Sequence, residues 1–136
     1  MPILIDGWNL IRNQRSDIDD DDSDSLESAK ALVGYLNTFQ KTHKDPITLV
    51  FDSSYEYLDF KYANSPSLRI IPTKDADRYI KKRIDDTPEN QRRNLRVVSS
   101  DREVYYFAKS RYAVPIKCEE FWDKLKKKGL LRFVKP

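Results

Sequence analysis

Four aspartates stand where apolar runs hand over to polar segments: Asp6, Asp52, Asp77 and Asp101. The first closes the stretch Ile3-Leu4-Ile5-Asp6-Gly7-Trp8-Asn9. Three consecutive aliphatics describe a strand buried on both faces, with Asp6 at its carboxyl end. That edge is where open α/β sheets bind ligands. Gly7 lets the chain turn without a Cβ, so that the Asp6 carboxylate and the Asn9 amide can enter one crevice. Taken alone, the stretch reads equally well as an ordinary Asp-Gly turn. One acid at a strand end is unremarkable, and helix N-termini favour acids in any protein. Four at corresponding handovers are harder to assign to capping. Two carboxylates about 4 Å apart repel by roughly 1–4 kcal/mol under water-like to surface-like screening. Gathering several calls for a hard cation. An all-oxygen donor set without His or Cys suits Mg²⁺ or Mn²⁺ rather than zinc. Such an ion lowers the pKa of a bound water and offsets charge on a phosphoryl oxygen, and lysines and arginines around the rim would hold a phosphate backbone. The chemistry indicated is metal-dependent hydrolysis of a phosphodiester.

The elements that must position these acids follow from hydrophobic spacing. After the first strand, residues 10–23 are increasingly acidic and are expected to form a mobile loop. Leu26, Ala29, Leu32, Val33, Leu36 and Phe39 recur at helical spacing, predicting a helix that runs to about His43. His43, the only histidine, is assigned a place near the helix end and no function. Asp45-Pro46 breaks the helix, and residues 47–51 make a second buried strand ending on Asp52. Residues 53–67 hold Tyr55, Tyr57, Phe60 and Tyr62 without a clean period and read as a long excursion. Residues 68–71 form a third strand, closed by Pro72-Thr73. A helix follows on which Ala76, Ile80 and Ile84 share a face, with Asp75 and Asp77 at its start. Residues 87–90 are a loop and residues 95–99 a fourth strand. Ser100 and Glu103 are spaced as a capping box, with Asp101 a first-turn acid. Residues 113–116 make a short edge strand, and residues 118–128 a last helix that buries Phe121, Trp122 and Leu125 and ends at Gly129. Residues 130–134 are left as either a further strand or a packed tail. The alternation predicts an α/β fold, three layers of α/β/α with a mainly parallel central sheet.

A chain of 136 residues suits one domain, here 1–136. Charged residues make up 35% and mean hydropathy is −0.74, yet the apolar residues arrive in spaced blocks, which indicates a folded chain with a charged surface. No apolar run approaches a membrane span and no secretory signal opens the chain, so the expected location is cytoplasmic, with no membrane partner. The single Cys118 excludes an intrachain disulfide and is expected to be a small, partly buried side chain. The net charge of +3 conceals an asymmetry. Residues 17–24 hold six acids, leaving 25 bases against 16 acids elsewhere, a net +9. That balance fits a polyanionic partner.

Ile-Asp-Gly-Trp-Asn-Leu-Ile at 5–11, Val-Phe-Asp at 50–52, Ala-Asp-Arg-Tyr-Ile at 76–80 and Ser-Ser-Asp-Arg-Glu-Val at 99–104 resemble, in order and spacing, the motifs of the YacP-like NYN domains of the PIN-like nuclease superfamily. The resemblance runs from the first strand to about Phe121. It implies a PIN-like fold and divalent-metal-dependent cleavage of RNA, with Asp6, Asp77 and Asp101 as the metal-binding acids. It further implies that Asn9 orients water or substrate, that Ser100 supports the Asp101 end, and that Asp52 contributes from behind. Lys74, Arg78, Lys81 and Arg102 are the rim bases expected to hold RNA, in single-stranded regions of mRNA or ribosome-associated RNA. Some PIN-like relatives carry a second acid directly after the one matching Asp77; here Arg78 stands there, which leaves the number of ions open. The acid-rich segment 17–24 lies outside the motifs that carry the resemblance, and the oligomeric state is also open. Two rival readings stand beside the endoribonuclease. A catalytically inactive RNA-binding module would keep the basic rim, though it gains nothing from carboxylates where phosphates lie. An aspartyl phosphatase would place a second acid two residues beyond the first, where this chain has Trp8, and no Gly-Lys-Ser/Thr phosphate loop occurs.

Overall fold

The computed structural model describes residues 1–13, 26–52 and 65–127. Its elements are β1 (Ile3–Asp6), α1 (Gly7–Arg12), α2 (Leu26–Phe39), β2 (Ile47–Asp52), β3 (Leu68–Thr73), α3 (Ala76–Asp86), α4 (Glu89–Arg92), β4 (Arg96–Val98), α5 (Arg102–Ser110), β5 (Val114–Ile116) and α6 (Cys118–Lys127). The strands form one five-stranded sheet in the order β3-β2-β1-β4-β5, and every pairing is parallel. The chain therefore builds outward from β1 through β2 to β3, then crosses back to lay β4 on the other side of β1. The junction between β1 and β4 is the topological switch point, where the loops leaving neighbouring strands diverge and open a crevice.

Alternating side chains of the buried strands feed two cores. Ile3, Ile5, Leu49, Phe51 and Val98 pack with Trp8, Leu32, Leu36, Phe121 and Trp122 under α1, α2 and α6. Leu4, Val50 and Val97 pack with Ala76, Ile80, Ile84, Val104 and Ala108 under α3 and α5. Helices thus cover both faces, giving the three α/β/α layers expected. Among the described residues no helix is long and apolar enough to cross a membrane.

Four local expectations differ. The turn after β1 is a helix, α1, because Trp8, Leu10 and Ile11 all find core positions and Trp122 Nε1 donates to Leu10 O at 2.8 Å. Residues 14–25, including the acidic run, lie outside the described residues, as do residues 53–64 with Tyr55, Tyr57, Phe60 and Tyr62, and residues 128–136. The expected loop at 87–90 contains the start of α4. Helix α2 ends at Phe39 rather than His43; the His43 ring stacks on Phe39 at 4.2 Å, which satisfies it as a packing group. Cys118 is fully buried, not partly.

Gly7 is required by close approach. An added Cβ would sit 2.5 Å from Phe51 Cε1 and 3.0 Å from Val50 O, so only glycine lets α1 start against β2. Helix α5 ends in a Schellman motif: Ala113 N donates to Ala108 O and Tyr112 N to Lys109 O. Tyr112 occupies the left-handed position usually given to glycine, with φ 67° and its side chain exposed.

Candidate metal centre

Asp6 ends β1 and Ser99 follows β4, so the two strands that flank the switch point deliver one carboxylate and one hydroxyl to the same edge. Asp6 is only 7% exposed and sits at the N-cap of α1 without making a side-chain cap hydrogen bond. Its carboxyl is pushed up from an ordinary 3.8 to about 6, first by burial, then by the charge of Asp77, with Asp101 adding to it. The Asn9 backbone amide and the Arg12 guanidinium pull the other way. Asp52 is not among the charges that act on Asp6. It is exposed at the end of β2, and its described contact is through its carbonyl, which accepts from Trp8 Nε1 at 2.7 Å.

Asp77 arrives by a different route. It lies in the first turn of α3, whose N-cap is Asp75; the Asp75 side chain accepts from Arg78 N at 3.0 Å and so serves as the helix cap. The Asp77 carboxyl is also raised, by burial first and Asp101 next, with Lys81 opposing. Asp101 is the N-cap of α5: its Oδ1 accepts from Glu103 N at 2.9 Å and Val104 N at 3.2 Å, and Oδ2 takes no part in that cap. Helices α3 and α5 are tied together by the Lys81–Glu103 ion pair, with Lys81 Nζ also 5.7 Å from the Phe107 ring. Carboxylate oxygens of Asp77, Asp101 and Glu103 all lie within 4.8 Å of one another. Asp6 adjoins this trio as the buried acid whose proton affinity responds to both Asp77 and Asp101.

The capping box expected from Ser100 and Glu103 does not form, because Asp101 takes the cap. Ser100 works on the other side: its Oγ accepts from Cys118 N at 2.9 Å and donates to Glu119 Oε1 at 3.0 Å, fastening the turn that carries Asp101 to the start of α6. Asn9 holds the same turn from β1's side. Its Oδ1 accepts from Ser100 N at 2.7 Å, Cys118 Sγ at 3.1 Å and Ser99 Oγ at 3.4 Å. A backbone N–H as donor fixes which end of the amide is oxygen. Ser99 Oγ in turn accepts from Asp101 N at 3.1 Å. Burial pushes the Cys118 thiol up to about 12, so it stays protonated and serves as a donor. Thus one amide oxygen locks the turn bearing Asp6 to the turn bearing Asp101.

Of the expected rim bases, Lys74, Arg78 and Arg102 are exposed beside the acids, while Lys81 is half-buried against Glu103. Arg12, Glu103, Ser99, Cys118 and Glu119 were not anticipated in the site. For Glu103 a signal existed, two residues beyond Asp101 on the same helix start, but the capping reading absorbed it.

The family model of the YacP-like NYN domain matches residues 3–129. The chain belongs to this family. Among solved structures, the NYN domain described here is similar to Rae1 (YacP) from Bacillus subtilis, with 19% identity and a TM-score of 0.71 over 98% of this chain and 77% of that one. A single-substitution mutant of that protein aligns at 18% identity and a TM-score of 0.70, covering 98% and 78% respectively. At those identities the likeness establishes the shared PIN-like fold. No curated relative matches the NYN chain.

The acids of the NYN domain fit a divalent ion by their own chemistry. Ionised together they form an all-oxygen donor set in which burial and mutual repulsion already hold protons on Asp6 and Asp77 more tightly than usual. Lys81, the base that opposes this on Asp77, is itself paired with Glu103. A hard cation removes that repulsion.

Proposed function

We propose that residues 1–136 are one nuclease domain acting as a divalent-metal-dependent endoribonuclease on single-stranded RNA, with Asp6, Asp77 and Asp101 holding Mg²⁺ or Mn²⁺. The observation that carries the reading is the burial of Asp6 at the switch point beside the clustered carboxylates of Asp77, Asp101 and Glu103, a placement that raises its carboxyl. A structural acid in such a place costs stability, and a ligand of opposite charge offsets that cost.

When bound, the ion supplies Lewis acidity that makes water nucleophilic near neutral pH and offsets charge on the phosphoryl oxygens. The chain's own residues do the positioning. Asp101 Oδ1 is fixed by two backbone amides, and Asn9 and Ser100 immobilise the turn that presents it. Asn9 is a positioning residue in this reading, its oxygen committed to the framework. Glu103, exposed and ion-paired with Lys81, adds a third carboxylate beside Asp77 and Asp101. Exposed Lys74, Arg78 and Arg102 receive the flanking phosphates.

Purified protein incubated with an unstructured RNA should cut it internally with Mn²⁺ and not with EDTA. Asp6→Asn and Asp77→Asn should each abolish cleavage. A fully active Asp6→Asn variant overturns the proposal.

A further inference from the structure

Beyond Arg102, the outward face of α5 takes no part in the site just described. Arg102, Tyr105, Tyr106 and Lys109 fall at helical i, i+3, i+4 and i+7 and so share one side, while Val104 and Ala108 are buried on the other. The flank toward α3 is occupied by the Lys81–Glu103 pair and by Phe107, over whose ring the Arg111 guanidinium lies at 4.4 Å. Tyr106 remains 59% exposed. Its ring meets Tyr105 edge-on, at 5.3 Å between centroids and 80° between planes, so one tyrosine braces the other. Lys117, at the end of β5, places Nζ 5.9 Å from the Tyr105 ring. Two acids on neighbouring turns are engaged elsewhere, Glu103 by Lys81 and Glu119 by Ser100.

We propose that this face is a single-strand track, on which RNA leaving the acid site stacks a base on Tyr106 and rests its phosphates on Arg102, Lys109 and Lys117. The inference rests on the ribonuclease reading for the position of the scissile bond. Helix α5 is capped by Asp101, and Tyr106 stands five residues on, about 7.5 Å along the axis at 1.5 Å per residue. A single strand, free of duplex stacking, spans more than the duplex rise of about 3.4 Å per nucleotide, so this is on the order of one to two nucleotides from the acids. An isolated exposed tyrosine needs no explanation. A braced pair flanked by three bases, on the helix whose N-cap joins the acid cluster, matches the combination by which proteins hold single strands: a basic groove for the backbone and an aromatic platform for the base. Stacking needs a base with an uncovered face. A duplex has none, so the track selects single-stranded substrate.

The test is fluorescence anisotropy with a labelled, unstructured pyrimidine RNA and with a duplex of the same length, in EDTA so that nothing is cut. Tyr106→Ala should weaken single-strand binding about tenfold and leave duplex binding unchanged, and Tyr106→Phe should retain wild-type affinity. With Mn²⁺, Tyr106→Ala should raise KM and barely alter kcat. Unchanged single-strand affinity in Tyr106→Ala, or equal losses for strand and duplex, overturns the track. The two proposals separate cleanly. Binding that depends on Tyr106 in a protein that cuts nothing supports the track and removes the nuclease reading. Cleavage whose KM ignores Tyr106 does the reverse.

Discussion

Asp6→Asn should make the metal-free protein more stable while removing its activity. The Asp6 carboxyl is raised from 3.8 to about 6. At roughly 1.4 kcal/mol per tenfold change in proton affinity this amounts to about 3 kcal/mol. The side chain is only 7% exposed, so solvent screening removes little of it. The sign follows from linkage. An acid whose folded pKa lies above its unfolded one leaves full stability below about 4, and stability falls as pH rises from there through about 6. Above about pH 7 the metal-free domain carries the whole penalty. Asparagine cannot ionise and does not carry it. For a chain of this size 1 kcal/mol moves Tm by roughly 3 °C, so Asp6→Asn should melt about 10 °C above wild type at pH 7.5 in EDTA. Near pH 4 the difference should vanish. Saturating Mn²⁺ should raise the wild type at pH 7.5, where the acids are free of protons, and have little effect on the variant. Thermal melts followed by far-ultraviolet circular dichroism at both pH values, with EDTA and with Mn²⁺, give the four differences. A variant that melts at or below wild type at pH 7.5 in EDTA refutes the argument that burial and the neighbouring aspartates penalise the Asp6 charge in the folded chain.

Asn9→Ala removes the acceptor shared by Ser100 N, Cys118 Sγ and Ser99 Oγ, and should cost about 1–3 kcal/mol in urea unfolding. The same variant should weaken Mn²⁺ binding in calorimetry, because the turn bearing Asp101 loses its tie to β1; unchanged metal affinity would contradict the positioning role. Gly7→Ala forces a Cβ to within 2.5 Å of the Phe51 ring and should destabilise by about 1–3 kcal/mol, with only part recovered by adding Phe51→Leu, since Val50 O also stands in the way. Tyr112→Gly relieves the left-handed position that ends α5 and should raise stability by about 1 kcal/mol without changing cleavage.

Strand order explains which of the four handover acids meet. Hydrophobic runs and the alternation of strand with helix were enough to place Asp6, Asp52, Asp77 and Asp101 at the ends or starts of elements, and the parallel sheet sends those ends to one edge. Nothing in the local pattern states which strands are neighbours. Because β4 pairs with β1, the turn leading to Asp101 lies beside Asp6, whereas Asp52 leaves from β2 on the other side of β1. Asp77 reaches the group from β3, the most remote strand in that half, since α3 crosses over β2 and β1 to pack on α5. Helix α1 was missed for a related reason: six residues offer less than two turns of periodicity, and their apolar positions become evidence only once the α6 tryptophan is seen bonding to Leu10. The amide that joins the two acid-bearing turns was the least visible part of the site. Asn9 binds partners 90, 91 and 109 positions away, so no window on the chain contains the interaction. Its side chain is nevertheless where the arrangement is most exposed to a single change: one oxygen ties helix α1, which follows Asp6, to the turn that carries Asp101 and to the start of α6.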